Sequence, residues 1–136
     1  MKQLKIRGND NYGSGYFGAR RDGGKRTHVG VDAITVAGED FHSRVSGTVS
    51  FLGYPYADDL SYRYVQITDH NGWQWRYYYV DPKGCVELGL KIKVGDKIGV
   101  CQDLKPRYPN GMTQHVHFEI KVNKKHIDPT KYLNPI

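Results

Sequence analysis

An all-β, mainly antiparallel domain is what this sequence predicts, and three observations carry the prediction. Apolar and polar residues alternate in "SGTVSFLG", "LKIKVGDKIGV" and "HVHFEIKV", the two-residue period of a strand that buries one face. Glycine and tyrosine are abundant, at 16 and 11 residues, while apolar residues make up 38% of the chain, a balance that suits short strands joined by turns. Nowhere does a helical apolar period run long enough to mark a buried helix. At 136 residues the chain can enclose one core but not two, so residues 1–136 are read as a single domain.

The elements follow in order. Residues 46–53, "SGTVSFLG", alternate and end in glycine, the mark of a strand. Asn71-Gly72 lies between two runs rich in β-formers and predicts a hairpin with a two-residue type I′ turn, which pairs His70 with Trp73. Leu90, Ile92 and Val94 alternate up to a Gly95-Asp96 turn, and Ile98 and Val100 continue beyond it. "HVHFEIKV" closes the sheet, and "DPTKYL" predicts one terminal turn of helix with Asp128 as cap and Pro129 at its first position.

Charge and cysteine content narrow the function. Twenty Lys and Arg against fourteen Asp and Glu give a net charge of +6, which attracts anionic partners at long range. The basic residues are scattered rather than packed into a run, which argues against nucleic acid as a partner. No stretch approaches the ~20 apolar residues of a membrane helix, and "MKQLKIRGNDNYGSG" has no apolar segment of the secretory type. A soluble chain without membrane insertion is expected. Cys85 and Cys101 form no CxxC motif, so they read as two ordinary thiols, with a single disulfide left open.

The chemistry gathers at histidines. Alternation on a strand puts His115 and His117 on one face and Val116 and Phe118 on the other. An isolated HxH is more often a hydrogen-bonded surface pair than a metal site. A second segment, "RTHVGVDAI", sets His28 four residues before Asp32 with Gly30 between them. Imidazole and carboxylate are ligands suited to zinc. Together the two segments supply three imidazoles and one carboxylate, enough for a tridentate site with one histidine left to handle protons.

In that order, "YFGAR", "THVGVDAI", "GTVSFLG", "IKVGDKIG", "HVHFEI" and "IDPTKYL" resemble the lysostaphin/LytM-type zinc endopeptidases, which cut peptide bonds in peptidoglycan. The resemblance spans about 16–133. It implies a compact antiparallel sheet of the duplicated-hybrid type with a narrow groove, and one zinc per chain held by His28, Asp32 and His117. It also implies His115 as a catalytic histidine, peptidoglycan stem or cross-bridge peptides as substrate, and a monomer. One position departs. The family places another catalytic histidine in a Tyr-x-His-Leu pattern, and "YYYV" puts Tyr79 there. Tyr78 fits less well, because the family's leucine would then fall on Tyr79. His70 stands too far along the hairpin, at about 20 Å from Tyr79. His42 and His126 lie outside the motifs and read as surface histidines. Trp75 and Tyr77 are expected to share a face with Tyr79.

A tyrosine hydroxyl can donate to a developing oxyanion, so Tyr79 is assigned that role. "YVDPKG" and "RYPNGMTQHVH" also resemble leukocyte cell-derived chemotaxin, a zinc-binding group of this fold regarded as non-peptidase. Two expectations follow. The first is a zinc metalloendopeptidase of phage lysis or virion type, acting at the bacterial wall or periplasm. The alternative is a weakened or inactive zinc-binding module of the same fold that engages a glycan or protein partner.

Overall fold

The computed structural model describes residues 1–21, 24 and 26–135. Among these, strands dominate and no α-helix occurs. The strands are β1 (Arg20–Arg21), β2 (Arg26–Thr27), β3 (Val31–Ile34), β4 (Asp40–His42), β5 (Gly47–Gly53) and β6 (Tyr64–Thr68), then β7 (Gln74–Tyr78), β8 (Val80–Asp81), β9 (Lys91–Ile92), β10 (Lys97–Cys101), β11 (His115–Val122) and β12 (Lys125–Ile127). A seven-stranded sheet runs β12-β11-β7-β6-β5-β9, with β3 also beside β11. A three-stranded sheet, β4-β10-β8, packs over it, and β1-β2 form a small ribbon. Every pairing among these strands is antiparallel.

Alternation decides which face is core. Val116, Phe118 and Ile120 of β11 are fully buried, as are Val65 and Ile67 of β6 and Tyr77 of β7. Phe118 stacks between Trp75 and Tyr77, with ring centroids at 5.6 and 5.1 Å. Each such side chain stabilises the fold by about 1.5–3 kcal/mol through burial. The other face of the same strands carries His115, His117 and Glu119 beside Arg76 and Tyr78, since His117 is paired with Tyr78 and Glu119 with Arg76. One face of β11 therefore holds the domain together, and the other presents the histidines.

Expectations change in the turns and in the sheet order. The β6–β7 hairpin closes through three residues, 70–72, rather than two: the Asp69 N–H donates to the Trp73 carbonyl at 3.0 Å, so Asp69, not His70, faces Trp73. Gly72 alone takes a left-handed φ, +82°, and Asp69 Oδ1 accepts the N–H groups of Asn71 and Trp73. The two-residue turn with two left-handed residues falls instead at Asn123 and Lys124, φ +50° and +68°, between β11 and β12. Strand β11 does not close the sheet but lies inside it, between β7 and the β3/β12 side. The terminal turn is a 3₁₀ turn, Thr130–Tyr132, with Asp128 Oδ1 accepting the Thr130 N–H. Leu4, near the start of the chain, also belongs to the core.

Candidate metal centre

His28 follows the β1–β2 ribbon, Asp32 lies on β3, and His117 faces Asp32 across the β3–β11 ladder. The fold brings their ligand atoms into a small triangle. His28 Nε2 lies 3.0 Å from His117 Nδ1 and 3.1 Å from Asp32 Oδ1, and His117 Nδ1 lies 2.8 Å from that same oxygen. Among the described residues these three form the group able to hold a metal ion.

The outer sides of both imidazoles are committed. His28 Nδ1 donates to the Tyr16 carbonyl at 3.0 Å, and His117 Nε2 donates to Glu119 Oε1 at 2.9 Å. With those hydrogens directed outward, the inner nitrogens turn lone pairs towards each other and towards a carboxylate. Only a cation makes that arrangement favourable. In the metal-free protein a proton serves: burial depresses the pKa of His117, but hydrogen bonds to Asp32 and Glu119 outweigh it and raise it to about 9. Two imidazoles and one carboxylate oxygen are also a donor set suited to zinc, and three protein ligands leave a position open. The residues fit the ion.

Around the triangle stand groups of unlike character. Burial works against the Asp32 carboxylate, yet hydrogen bonds from His117 and His28 hold its pKa well below the usual range. His115 is 3% exposed, and burial lowers its pKa below the ordinary value, Asp32 opposing the shift. Its Nδ1 donates to the Thr113 carbonyl at 2.7 Å, and its Nε2 lies 3.6 Å from Asp32 Oδ2. A neutral imidazole with a free lone pair thus borders the triangle without joining it.

Tyr79 sits beside His115, ring centroids 5.6 Å apart, while Tyr78 sits beside His117 at 5.2 Å. Two consecutive tyrosines reach one site because Tyr79 has φ +70°, a left-handed conformation that costs a bulky residue about 1–3 kcal/mol. That reversal corrects the expected face: Trp75 and Tyr77 are core residues, and Tyr79 does not share their side. Tyr79 Oη is hydrogen-bonded to Tyr56 Oη at 2.6 Å, and Tyr56 Oη in turn to Tyr108 Oη. Burial, with neighbouring Tyr56 and Tyr108, raises the Tyr79 pKa, so the phenol stays neutral.

A cleft of about 520 Å³ opens over the centre, lined by Tyr56, Tyr79 and Tyr108 on one side and by Arg21 and Arg26 on another. His126 is no isolated surface residue, since its Nε2 contacts Glu119 Oε2 at 3.0 Å behind His117. The sequence reading missed Arg7, Glu119, Tyr56 and Tyr108. For Glu119 the signal was present, because the two-residue spacing that aligns His115 with His117 also aligns Glu119. Cys85 and Cys101 are free thiols, and burial raises the Cys101 pKa to about 11.

Residues 26–129 match the model of peptidase family M23, and the chain belongs to that family. Myeloid protein 1 of Gallus gallus is 34% identical over 134 residues, 95% of this chain and 38% of that protein. The chain therefore spans well under half the length of that relative. The catalytic domain of the antimicrobial peptidase lysostaphin from Staphylococcus simulans shares the fold, with a TM-score of 0.66 at 22% identity, over 90% of this chain and 92% of that one. A zinc-containing peptidase from Vibrio cholerae shares it with a TM-score of 0.63 at 22% identity, over 99% of this chain and 40% of that one.

Proposed function

We propose that the chain is a zinc metalloendopeptidase that hydrolyses peptide cross-links of bacterial peptidoglycan, with the ion held by His28, Asp32 and His117. The observation that carries the proposal is His115, a buried imidazole whose Nε2 stands 3.6 Å from Asp32 Oδ2 and outside the ligand triangle. A structural site has no use for a neutral base beside an open position, whereas hydrolysis requires one. The likeness of fold to lysostaphin, described as an antimicrobial peptidase, supports the substrate class.

Zinc in this site supplies polarisation of the scissile carbonyl and acidification of a water. His115 receives a proton at Nε2, because Nδ1–H is occupied by the Thr113 carbonyl, and returns it to the departing amine. Tyr79 donates to the oxyanion. Donation from Tyr108 to Tyr56 and from Tyr56 to Tyr79 frees the Tyr79 hydrogen for that task. The cleft over the centre is where the scissile peptide would enter.

A second reading has its own support. Tyr79 stands where the resemblance implies histidine, and with the opposite direction of the hydrogen bond, Tyr79 donating to Tyr56, its hydrogen would be occupied, which favours a module that binds zinc without turnover. Mass analysis of peptidoglycans of several cross-link types separates the two. Cleavage by the zinc-loaded protein, abolished by chelation and by His115→Ala, is the expected result. Intact wall from every source, with zinc bound, refutes the peptidase reading in favour of the module.

A further inference from the structure

The family match begins at residue 26, yet the chain before it builds one wall of the metal centre. Leu4 is fixed by Asn134, whose Oδ1 accepts the Leu4 N–H and whose Nδ2 donates to the Leu4 carbonyl, both at 2.7 Å. From there the segment runs along β3. The Ile34 N–H donates to the Lys5 carbonyl at 2.7 Å, the Arg7 N–H to the Asp32 carbonyl at 2.8 Å, and the Asp32 N–H to the Gly15 carbonyl at 2.8 Å.

This path buries Arg7, which is 2% exposed. Its Nε donates to Asp32 Oδ2 at 2.9 Å, and its Nη1 reaches the Gly13 carbonyl at 2.7 Å and Asp10 Oδ2 at 2.9 Å. Asp10 Oδ2 also accepts the Thr113 N–H at 2.8 Å, and the Thr113 carbonyl is the one that orients His115. A Cβ on Gly15 would come within 2.4 Å of Arg7 Cγ and 3.1 Å of Asp32 Cβ, so the absent side chain leaves the passage that the arginine stem fills. Burying a guanidinium is costly unless it is paired, and here it is paired with two carboxylates.

We infer that Arg7 is a positioning residue for the metal centre: by holding Oδ2 of Asp32 it confines that carboxylate to donating Oδ1 alone, and so sets the affinity and coordination number of the bound ion. The inference rests on the zinc reading above. A carboxylate with both oxygens free can chelate a cation through both. With Oδ2 occupied, Asp32 contributes one bond, and the remaining position stays open for water and substrate.

The test uses the full chain with Arg7→Met and Arg7→Lys. Zinc affinity is read by competition with a chromophoric chelator, coordination by the visible absorption of the cobalt(II)-loaded protein, and folding by circular dichroism of the metal-free protein. For Arg7→Met the zinc dissociation constant is expected to rise roughly 10- to 100-fold, and the strong four-coordinate cobalt band to weaken as the second carboxylate oxygen joins. Arg7→Lys keeps the charge but not the fixed direction of the fork, so an intermediate shift in the same direction is expected. Should Arg7→Met fail to fold, Arg7→Lys carries the test. A folded variant with wild-type zinc affinity and a wild-type cobalt spectrum overturns the inference. Wild-type protein that takes up no zinc overturns it together with the proposed function, whereas zinc binding that responds to Arg7 without any wall cleavage sustains it and overturns only the peptidase reading.

Discussion

Replacing Gly30 by alanine tests why a glycine separates the two ligands of the His28–Asp32 segment. Gly30 has no left-handed φ, so alanine meets no backbone penalty and any effect is steric. An added Cβ would lie 2.3 Å from the Phe118 carbonyl oxygen, 2.9 Å from His117 Cε1 and 3.0 Å from Glu119 Cγ. An ordinary carbon–oxygen contact is about 3.3 Å or more, so β11 and the loop before β3 must part by about 1 Å. Overpacking of this kind costs about 1–3 kcal/mol. With an unfolding entropy of about 0.29 kcal/mol/K for a chain of 136 residues, the melting temperature should fall by about 3–10 °C. The same displacement moves His117 Nδ1 out of a triangle whose edges are 2.8–3.1 Å, and zinc should bind roughly 10- to 100-fold more weakly. Differential scanning calorimetry and chelator competition read the two effects. Gly8→Ala is the control, because Gly8 has nothing within 4 Å of the added carbon and should leave both quantities near wild type. Wild-type melting and wild-type zinc affinity in Gly30→Ala would refute the steric reasoning.

Other perturbations follow the same logic. His115→Ala should retain zinc, measured as metal content, and lose about 10²- to 10⁴-fold in cleavage rate; full activity would remove His115 from the proton path. Tyr79→Phe should keep zinc and cost about 10²- to 10³-fold in rate, whereas Tyr79→His should raise it, both read on the same wall substrate. Tyr77→Phe takes the acceptor from the buried Arg44 N–H and should cost about 1–3 kcal/mol in denaturant unfolding. In the metal-free protein the His117 pKa, raised to about 9, exceeds its unfolded value of about 6.5. Its contribution to stability is therefore complete below pH 6.5 and is lost as pH rises through 9. Urea unfolding of chelated protein should show that loss in wild type and a smaller one in His117→Gln.

What could be read in the sequence was whatever a two-residue period encodes. The core face of β11 and the alignment of His115 with His117 depend only on alternation. The failures are positions where one residue's φ or a distant partner decides. Asn71-Gly72 serves two turn types equally, and Asp69 selects the longer loop by accepting two N–H groups with its side chain. The true two-residue turn has lysine where glycine is usual, so nothing in its composition announces it. The left-handed Tyr79 carries no local signal either. It is held by contacts far away in the chain, its N–H on the Arg63 carbonyl and its carbonyl on the Gln102 N–H. Arg7 meets Asp32 across 25 residues and Tyr56 meets Tyr108 across 52, and no spacing rule reaches so far.

The division of labour between the two histidines of β11 follows from their outer partners. Both lie on one strand face, two residues apart, His115 buried and His117 half-buried, and desolvation works against the charged form of each. His117 has a carboxylate at each nitrogen, Asp32 at Nδ1 and Glu119 at Nε2. These outweigh burial, and the site attracts positive charge at that ring. His115 has a backbone carbonyl at Nδ1 and only a longer approach to Asp32 at Nε2, so burial prevails and the ring stays neutral. Environments that push two similar groups apart assign them different roles. The ring that gathers cations is suited to be the ligand, and the ring kept neutral is suited to be the base. Glu119, itself backed by His126, is thus the residue that distinguishes the second histidine of the HxH pair from the first. Placed two positions beyond His117 on the same strand face, it makes that difference a consequence of β-strand geometry.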